Sequence, residues 1–283
     1  MEAAPEPEPE PESTSPGFEA EDDEPQASLQ PTAVDTHCHL FLMEEDPADV
    51  VARTNAAGVG RLVCVGIDPE TSRRSLELAE SFRGVFATAG MHPHTASEFD
   101  QTAGSAVEEL LADPLVVAVG ETGLDYYRRL SPAEDQERAF RTHIALSRES
   151  DKPLVVHVRD AWEDAMAILQ HEGATRVILH CFSGDEDLAA EASRRGYFLS
   201  FAGNITYPGA DGLRRAAAAA SEGRLLAETD SPFLAPQAVR GKPNTPANVL
   251  RVIQALAEAR AADPGLMMAQ TTITALEALP GLL

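Results

Sequence analysis

The chain has 283 residues, 43% of them hydrophobic, and a formal net charge of −24. That is enough for one large domain with a sizeable core, and no apolar run approaches the roughly 18 residues of a membrane span. An acidic surface of this kind excludes broad electrostatic capture of duplex nucleic acid, while a locally cationic site could still take a single phosphate.

Residues 1–31 form a Pro/Glu-rich tail containing Pro5-Glu6-Pro7-Glu8-Pro9-Glu10, with ten acids and no base over residues 1–30. So little apolar surface cannot offset the entropy of ordering, so a disordered extension is expected. The tail carries no basic n-region and no apolar h-region, and the three cysteines (Cys38, Cys64, Cys181) include no CxxC pair. Both features point to a reducing cytoplasm. From residue 32 the pattern changes. Short apolar runs rich in β-branched residues fall at 33–37, 62–66, 85–91, 116–120, 154–158, 177–180, 197–201 and 225–228. Amphipathic or Ala-rich stretches lie between them at 47–57, 71–82, 133–148, 161–171, 187–195 and 212–221, with further helices at about 246–262 and 265–279. Apolar strands alternating with helices predict a parallel sheet covered on both faces, and eight such units over residues 32–283 predict a single (β/α)8 TIM barrel. A doubly wound open sheet is the alternative; no GxGxxG follows the first strand, which counts against it.

Active sites of such barrels form at the C-terminal ends of the strands. The first strand ends His37-Cys38-His39, and residues two apart on a strand share a face, so the two imidazoles point together and Cys38 points away. The third runs into His92-Pro93-His94, the fourth into Glu121, the fifth contains His157-Val158-Arg159, the sixth ends His180-Cys181, and the eighth runs into Asp230. Six of the eight histidines therefore sit at strand ends, with His143 and His171 in predicted helices. Taken singly, Glu121 or Asp230 reads as a helix N-cap, His180 as a core histidine and His94 as a loop residue. As a set, imidazoles and carboxylates on one rim suit a divalent metal. Cys38 and Cys181 read as small core residues.

These residues resemble the TatD family of metal-dependent hydrolases, within the amidohydrolase-like barrels. The motifs are Asp35-Thr36-His37-Cys38-His39, Gly90-Met91-His92-Pro93, Gly120-Glu121-Thr122-Gly123-Leu124-Asp125, His157-Val158-Arg159-Asp160, His180-Cys181-Phe182-Ser183-Gly184 and Glu228-Thr229-Asp230-Ser231-Pro232, followed by Arg240-Gly241-Lys242-Pro243-Asn244. The resemblance runs from Val34 onward and departs at Thr274, where the family carries an Asn in its last helix. It implies a site for divalent ions, two of Zn, Mg or Mn. His37, His39 and Asp230 would hold one, His157 and His180 the other, and Glu121 would bridge. Two such cations activate a water and neutralise the attacked oxygen, with Asp230 as general base. Arg159 shares a face with His157 and suits a phosphate oxygen. His92 is placed to polarise substrate, and Arg240, Lys242 and Asn244 form a loop that could guide a polyanion. The resulting expectation is a phosphodiesterase acting as a 3′-5′ exonuclease on single-stranded DNA ends, with no membrane and no obligate protein partner. The alternative is a metal-dependent ester or amide hydrolase, such as a D-aminoacyl-tRNA deacylase or a small-molecule lactonase, because the same ligands serve either reaction. A barrel that has lost its chemistry is disfavoured by the presence of all six ligands.

Overall fold

A computed structural model describes Met1 and residues 32–283; apart from Met1, the tail expected to be disordered lies outside the described residues. Eight strands form one parallel sheet in sequence order: β1 (Ala33–Cys38), β2 (Val59–Val65), β3 (Val85–Ala89), β4 (Val116–Asp125), β5 (Leu154–Arg159), β6 (Val177–His180), β7 (Phe198–Phe201) and β8 (Leu225–Ala227). The seam between β1 and the end of β8 is joined by backbone. Asp230 N–H donates to His37 O at 2.9 Å, and His39 N–H donates to Ser231 O at 2.7 Å. The bonds that close the barrel are therefore made by the expected ligand segments themselves.

The helices are α1 (Pro47–Ala56), α2 (Pro69–Ser81), α3 (Gln101–Leu111), α4 (Ala133–Glu149), α5 (Trp162–His171), α6 (Glu186–Arg194), α7 (Asp211–Ala219), α8 (Val249–Ala259) and α9 (Pro264–Ala278). Asp46, Asp68, Asp100, Asp185 and Asp263 each accept a backbone N–H at the start of a helix. Part of the acidic excess thus serves to satisfy and charge-complement helix N-termini. No helix among the described residues is long and apolar enough to cross a membrane.

Inward-facing Val34, Val63, Val117, Val155, Ile178 and Leu226 pack with Ala275, Leu279 and Leu282 from the chain's end. Arg61 Nε donates to Leu282 O at 2.9 Å. The C-terminal segment therefore fills the mouth at the strands' N-terminal ends and leaves the opposite mouth open for a site. Thr274, where the family motif departs, is buried in this segment.

One buried histidine ties a helix to the open rim. His143 on α4 accepts from Met91 N–H through Nε2 at 3.0 Å, and its Nδ1 lies 2.7 Å from Ala139 O. The carbonyl can only accept, so the proton sits on Nδ1 and the ring is neutral. Burial pushes its pKa down from 6.5 to about 4. The unfolded chain then binds the extra proton first, so this contribution to stability is complete above about pH 6.5 and is lost as pH falls towards about 4. A gap of that size corresponds to about 3 kcal/mol. Urea midpoints measured at pH 7.5 and pH 5 are expected to differ clearly less in His143→Gln than in wild type; an equal difference would remove His143 from the pH response.

Candidate active site

The open mouth leads into a cleft of about 740 Å³ whose wall includes His39, His92, Glu121, His157, His180 and Asp230. Glu121 lies at its centre, 2% exposed. Four imidazole nitrogens surround its carboxylate: His37 Nε2 at 3.3 Å, His92 Nε2 at 3.4 Å, His157 Nδ1 at 3.0 Å and His180 Nε2 at 3.3 Å. Asp230 Oδ1 lies 3.4 Å from His39 Nε2 and 4.0 Å from His37 Nε2. The rings of His37 and His180 stack at 3.7 Å between centroids. All six residues expected as ligands are thus brought together. The groups His37, His39, Glu121 and His37, His180, Asp230 each place their ligand atoms within 4.8 Å of one another.

Proton positions indicate what this arrangement can hold. His39 Nδ1 lies 2.8 Å from Val65 O, which can only accept, so Nδ1 carries the hydrogen and a neutral ring presents a lone pair on Nε2. His180 stands between two carboxylates, its Nδ1 2.8 Å from Glu228 Oε1 and its Nε2 3.3 Å from Glu121 Oε1. Both ring nitrogens of buried His37 have no hydrogen-bond partner, nor has His157 Nε2. Imidazole lone pairs aimed at carboxylate oxygens repel unless a positive charge lies between them. The donor set therefore fits a divalent cation, and nitrogen plus carboxylate ligands suit Zn or Mn, with Mg favoured less by the imidazoles.

His92 differs. His94 N–H donates to His92 Nδ1 at 3.1 Å, so the proton of the neutral ring is on Nε2, which faces Glu121. Burial lowers its pKa from 6.5 to about 4. Although His92, Glu121 and His157 also cluster within 4.8 Å, this tautomer makes His92 a hydrogen-bond donor and not a ligand.

Charge is balanced inside the cluster. Burial alone would raise the Glu121 carboxyl, but His180, His92 and His37 hold it well below the usual carboxylate range. Burial likewise opposes ionisation of Asp230, and His39 with His180 outweighs it. His180 is driven the other way: burial disfavours its cation, yet Glu228 and Glu121 raise its pKa to about 10.

Supporting residues fix this geometry, and the sequence reading passed over most of them. Glu228 is 1% exposed; its Oε1 faces His180 and accepts from Cys181 N–H at 2.9 Å. Such a carboxylate fixes the orientation and basicity of a ligand imidazole. Asp125 Oδ2 lies 2.7 Å from His94 Nε2 and 3.5 Å from His157 Nε2. His94 thus takes part in the site's network and is not a free loop residue. Asp35 accepts from Thr229 N–H at 2.9 Å and from Thr229 Oγ1 at 2.5 Å, and in this way ties the segment carrying His37 to the segment carrying Asp230.

Several expectations need correction. Cys38 faces away, its Sγ toward Val63 O, but Cys181 lies on the cleft wall. β6 stops at His180, and Cys181 has φ 43°, so strand alternation no longer governs where it points. Arg240 is not on the cleft wall; its guanidinium packs 4.4 Å from the centre of the Tyr207 ring. Asn244 is buried and donates to Thr229 O at 2.9 Å and Phe233 O at 2.6 Å, which makes it a brace for the turn after β8. Arg159 does line the cleft, 4.0 Å from the Tyr127 ring centre, and is joined there by Arg128.

A family profile described as "TatD related DNase" matches residues 34–279. The chain belongs to the TatD family. It is 40% identical over 228 residues to a Bacillus subtilis protein named "Uncharacterized metal-dependent hydrolase YabD", covering 79% of this chain and 89% of that one. It is 34% identical over 235 residues to a Shigella flexneri protein named "3'-5' ssDNA/RNA exonuclease TatD", covering 80% and 90%. Among solved structures, the TatD homologue YJJV of Escherichia coli aligns with TM-score 0.82 and 28% identity over 88% of this chain and 98% of that one. A TatD family hydrolase of Entamoeba histolytica aligns at 0.79 with 19% identity, which speaks to the fold alone.

Proposed function

We propose that residues 32–283 form a metal-dependent hydrolase acting as a phosphodiesterase, a 3′-5′ exonuclease on single-stranded DNA ends. The observation that carries this reading is the cluster of imidazole nitrogens around Glu121 and Asp230 at the floor of a cleft whose wall also bears Arg128 and Arg159. The exonuclease name of relatives at 34% identity agrees with it.

In this reading His37, His39 and Asp230 would hold one divalent ion, and His157 and His180 a second, with Glu121 available to both. Bound there, such ions make a water acidic and neutralise charge on the attacked phosphoryl oxygen. Asp230, kept ionised by His39, takes the proton of the attacking water. Neutral His92 donates from Nε2 to an oxygen of the scissile phosphate, and the low pKa keeps that role available at neutral pH. Arg159 and Arg128 hold non-reacting phosphate oxygens. Asp125 and Glu228 place a carboxylate beside the outer nitrogens of His157 and His180, at 3.5 Å and 2.8 Å.

The test is a panel containing a labelled single-stranded oligonucleotide, D-aminoacyl-tRNA and a lactone, each assayed with Mn2+, with Mg2+ and with EDTA. Shortening of the oligonucleotide from its 3′ end, at least about 100-fold slower in EDTA, is expected. Metal-dependent cleavage of the ester or lactone with an intact oligonucleotide would replace the nuclease reading by the acyl-hydrolase one.

A further inference from the structure

Phe233 has no packing role that accounts for its position. It lies three residues after Asp230, is 53% exposed and lines the cleft. Its backbone is nevertheless held firmly: Phe233 N–H donates to Asp230 O at 2.8 Å, and Phe233 O accepts from Asn244 Nδ2 at 2.6 Å. Its ring lies 6.1 Å from the His39 ring, at 67° to it. Leu42, 41% exposed and in the 3-10 turn that follows β1, adds a second apolar side chain to the cleft lining. Across the cleft, after β4 and β5, stand Arg128 and the Arg159–Tyr127 pair, with Tyr127 61% exposed. One wall is therefore apolar and aromatic and the opposite wall is cationic.

We propose that Phe233, flanked by Leu42, is a stacking shelf for the unpaired base of the terminal nucleotide, and so makes the enzyme select single-stranded polynucleotide ends. This rests on the phosphodiesterase reading of the same site. Phe233 is three residues from Asp230 and its ring is 6.1 Å from the His39 ring, so a base whose phosphate sat at those residues would meet that ring, and the arginines that follow β4 and β5 would take the neighbouring phosphate. An aromatic face takes any base and gives affinity without sequence preference. A base inside a duplex already has both faces occupied and must be unstacked before it can use the shelf, so duplex ends are penalised. Phe233 is held on the same turn as Asp230, so base and scissile phosphate are positioned by one rigid segment.

The experiment compares two labelled oligodeoxynucleotides with Mn2+ present. One is fully base-bearing and the other carries a tetrahydrofuran abasic analogue at its 3′ terminus. Wild type is expected to favour the base-bearing end by on the order of 10-fold in kcat/KM, mainly through KM, in line with the energy of one stacked base. Phe233→Ala is expected to bring that ratio close to one, and Phe233→Trp to restore it. The side chain is half-exposed, so both variants are expected to fold, which melting curves check. A ratio near one in wild type, or a ratio unchanged in Phe233→Ala, overturns the shelf while leaving the nuclease reading intact. If wild type cleaves neither oligonucleotide, the phosphodiesterase reading itself fails and the shelf falls with it.

Discussion

Asp230→Asn is expected to reduce hydrolysis by about 10³-fold while the protein stays folded. The amide has the shape of the carboxylate but cannot take a proton from water and brings no negative charge to a cation. Folding is expected to survive for two local reasons. The bond that closes the barrel here is made by the backbone N–H of residue 230 to His37 O, which the substitution does not touch. Residue 230 also has φ 53°, in the left-handed region that Asn tolerates better than other non-glycine residues. Turnover numbers with saturating Mn2+, set beside thermal melts, check this. Activity within about twofold of wild type would remove Asp230 from proton transfer.

Gly123→Ala is expected to damage the molecule more broadly, by roughly 4 kcal/mol or more, or to prevent folding. Gly123 has φ +136°, a conformation L residues rarely adopt, and it pairs with His157 across β4 and β5. A Cβ there would stand 2.0 Å from His157 O and 3.0 Å from His157 N. Those are backbone atoms of a paired strand and cannot move aside as a flexible side chain would. Any accommodation must push β5 away from β4, which separates His157 from Glu121. A denaturant series on the purified variant reads the effect; a midpoint close to wild type would mean that β4 and β5 have room for a side chain at this point.

The glycines explain one place where the sequence was hard to read. Gly120 and Gly123 look like strand punctuation, and the expected fourth strand stops at 120, yet β4 continues to Asp125. They are there because β4 passes so close to its neighbours that a side chain does not fit, and composition alone does not distinguish that from a turn. Helix α3 went unassigned for a related reason, since Gly104 and Ser105 dilute its apolar pattern, while Asp100 caps its start by accepting from Ala103 N–H. The barrel itself was legible because each remaining strand is a short apolar run placed between helices. The convergence of His37, His39, His157, His180 and Glu121 was legible from parity and from their positions at strand ends. The same parity carried one further signal, since Asp125 is four residues beyond Glu121 on one strand; His94 lies past the end of β3 in a 3-10 turn, beyond the reach of parity. What parity could not reach are the positions past the strand ends. The turn at Cys181, and the loop that takes Arg240 to Tyr207, depend on backbone torsions that no periodic pattern encodes.

Anomalous-difference crystallography on Mn2+-soaked crystals reads whether the imidazoles around Glu121 and Asp230 hold divalent cations. Manganese peaks are expected bounded by His37, His39, Glu121 and Asp230 and by Glu121, His157 and His180, the two about 3.5–4 Å apart. Peaks found only elsewhere, with the Glu121 carboxylate touching no metal at saturating Mn2+, would contradict a cation site at these residues.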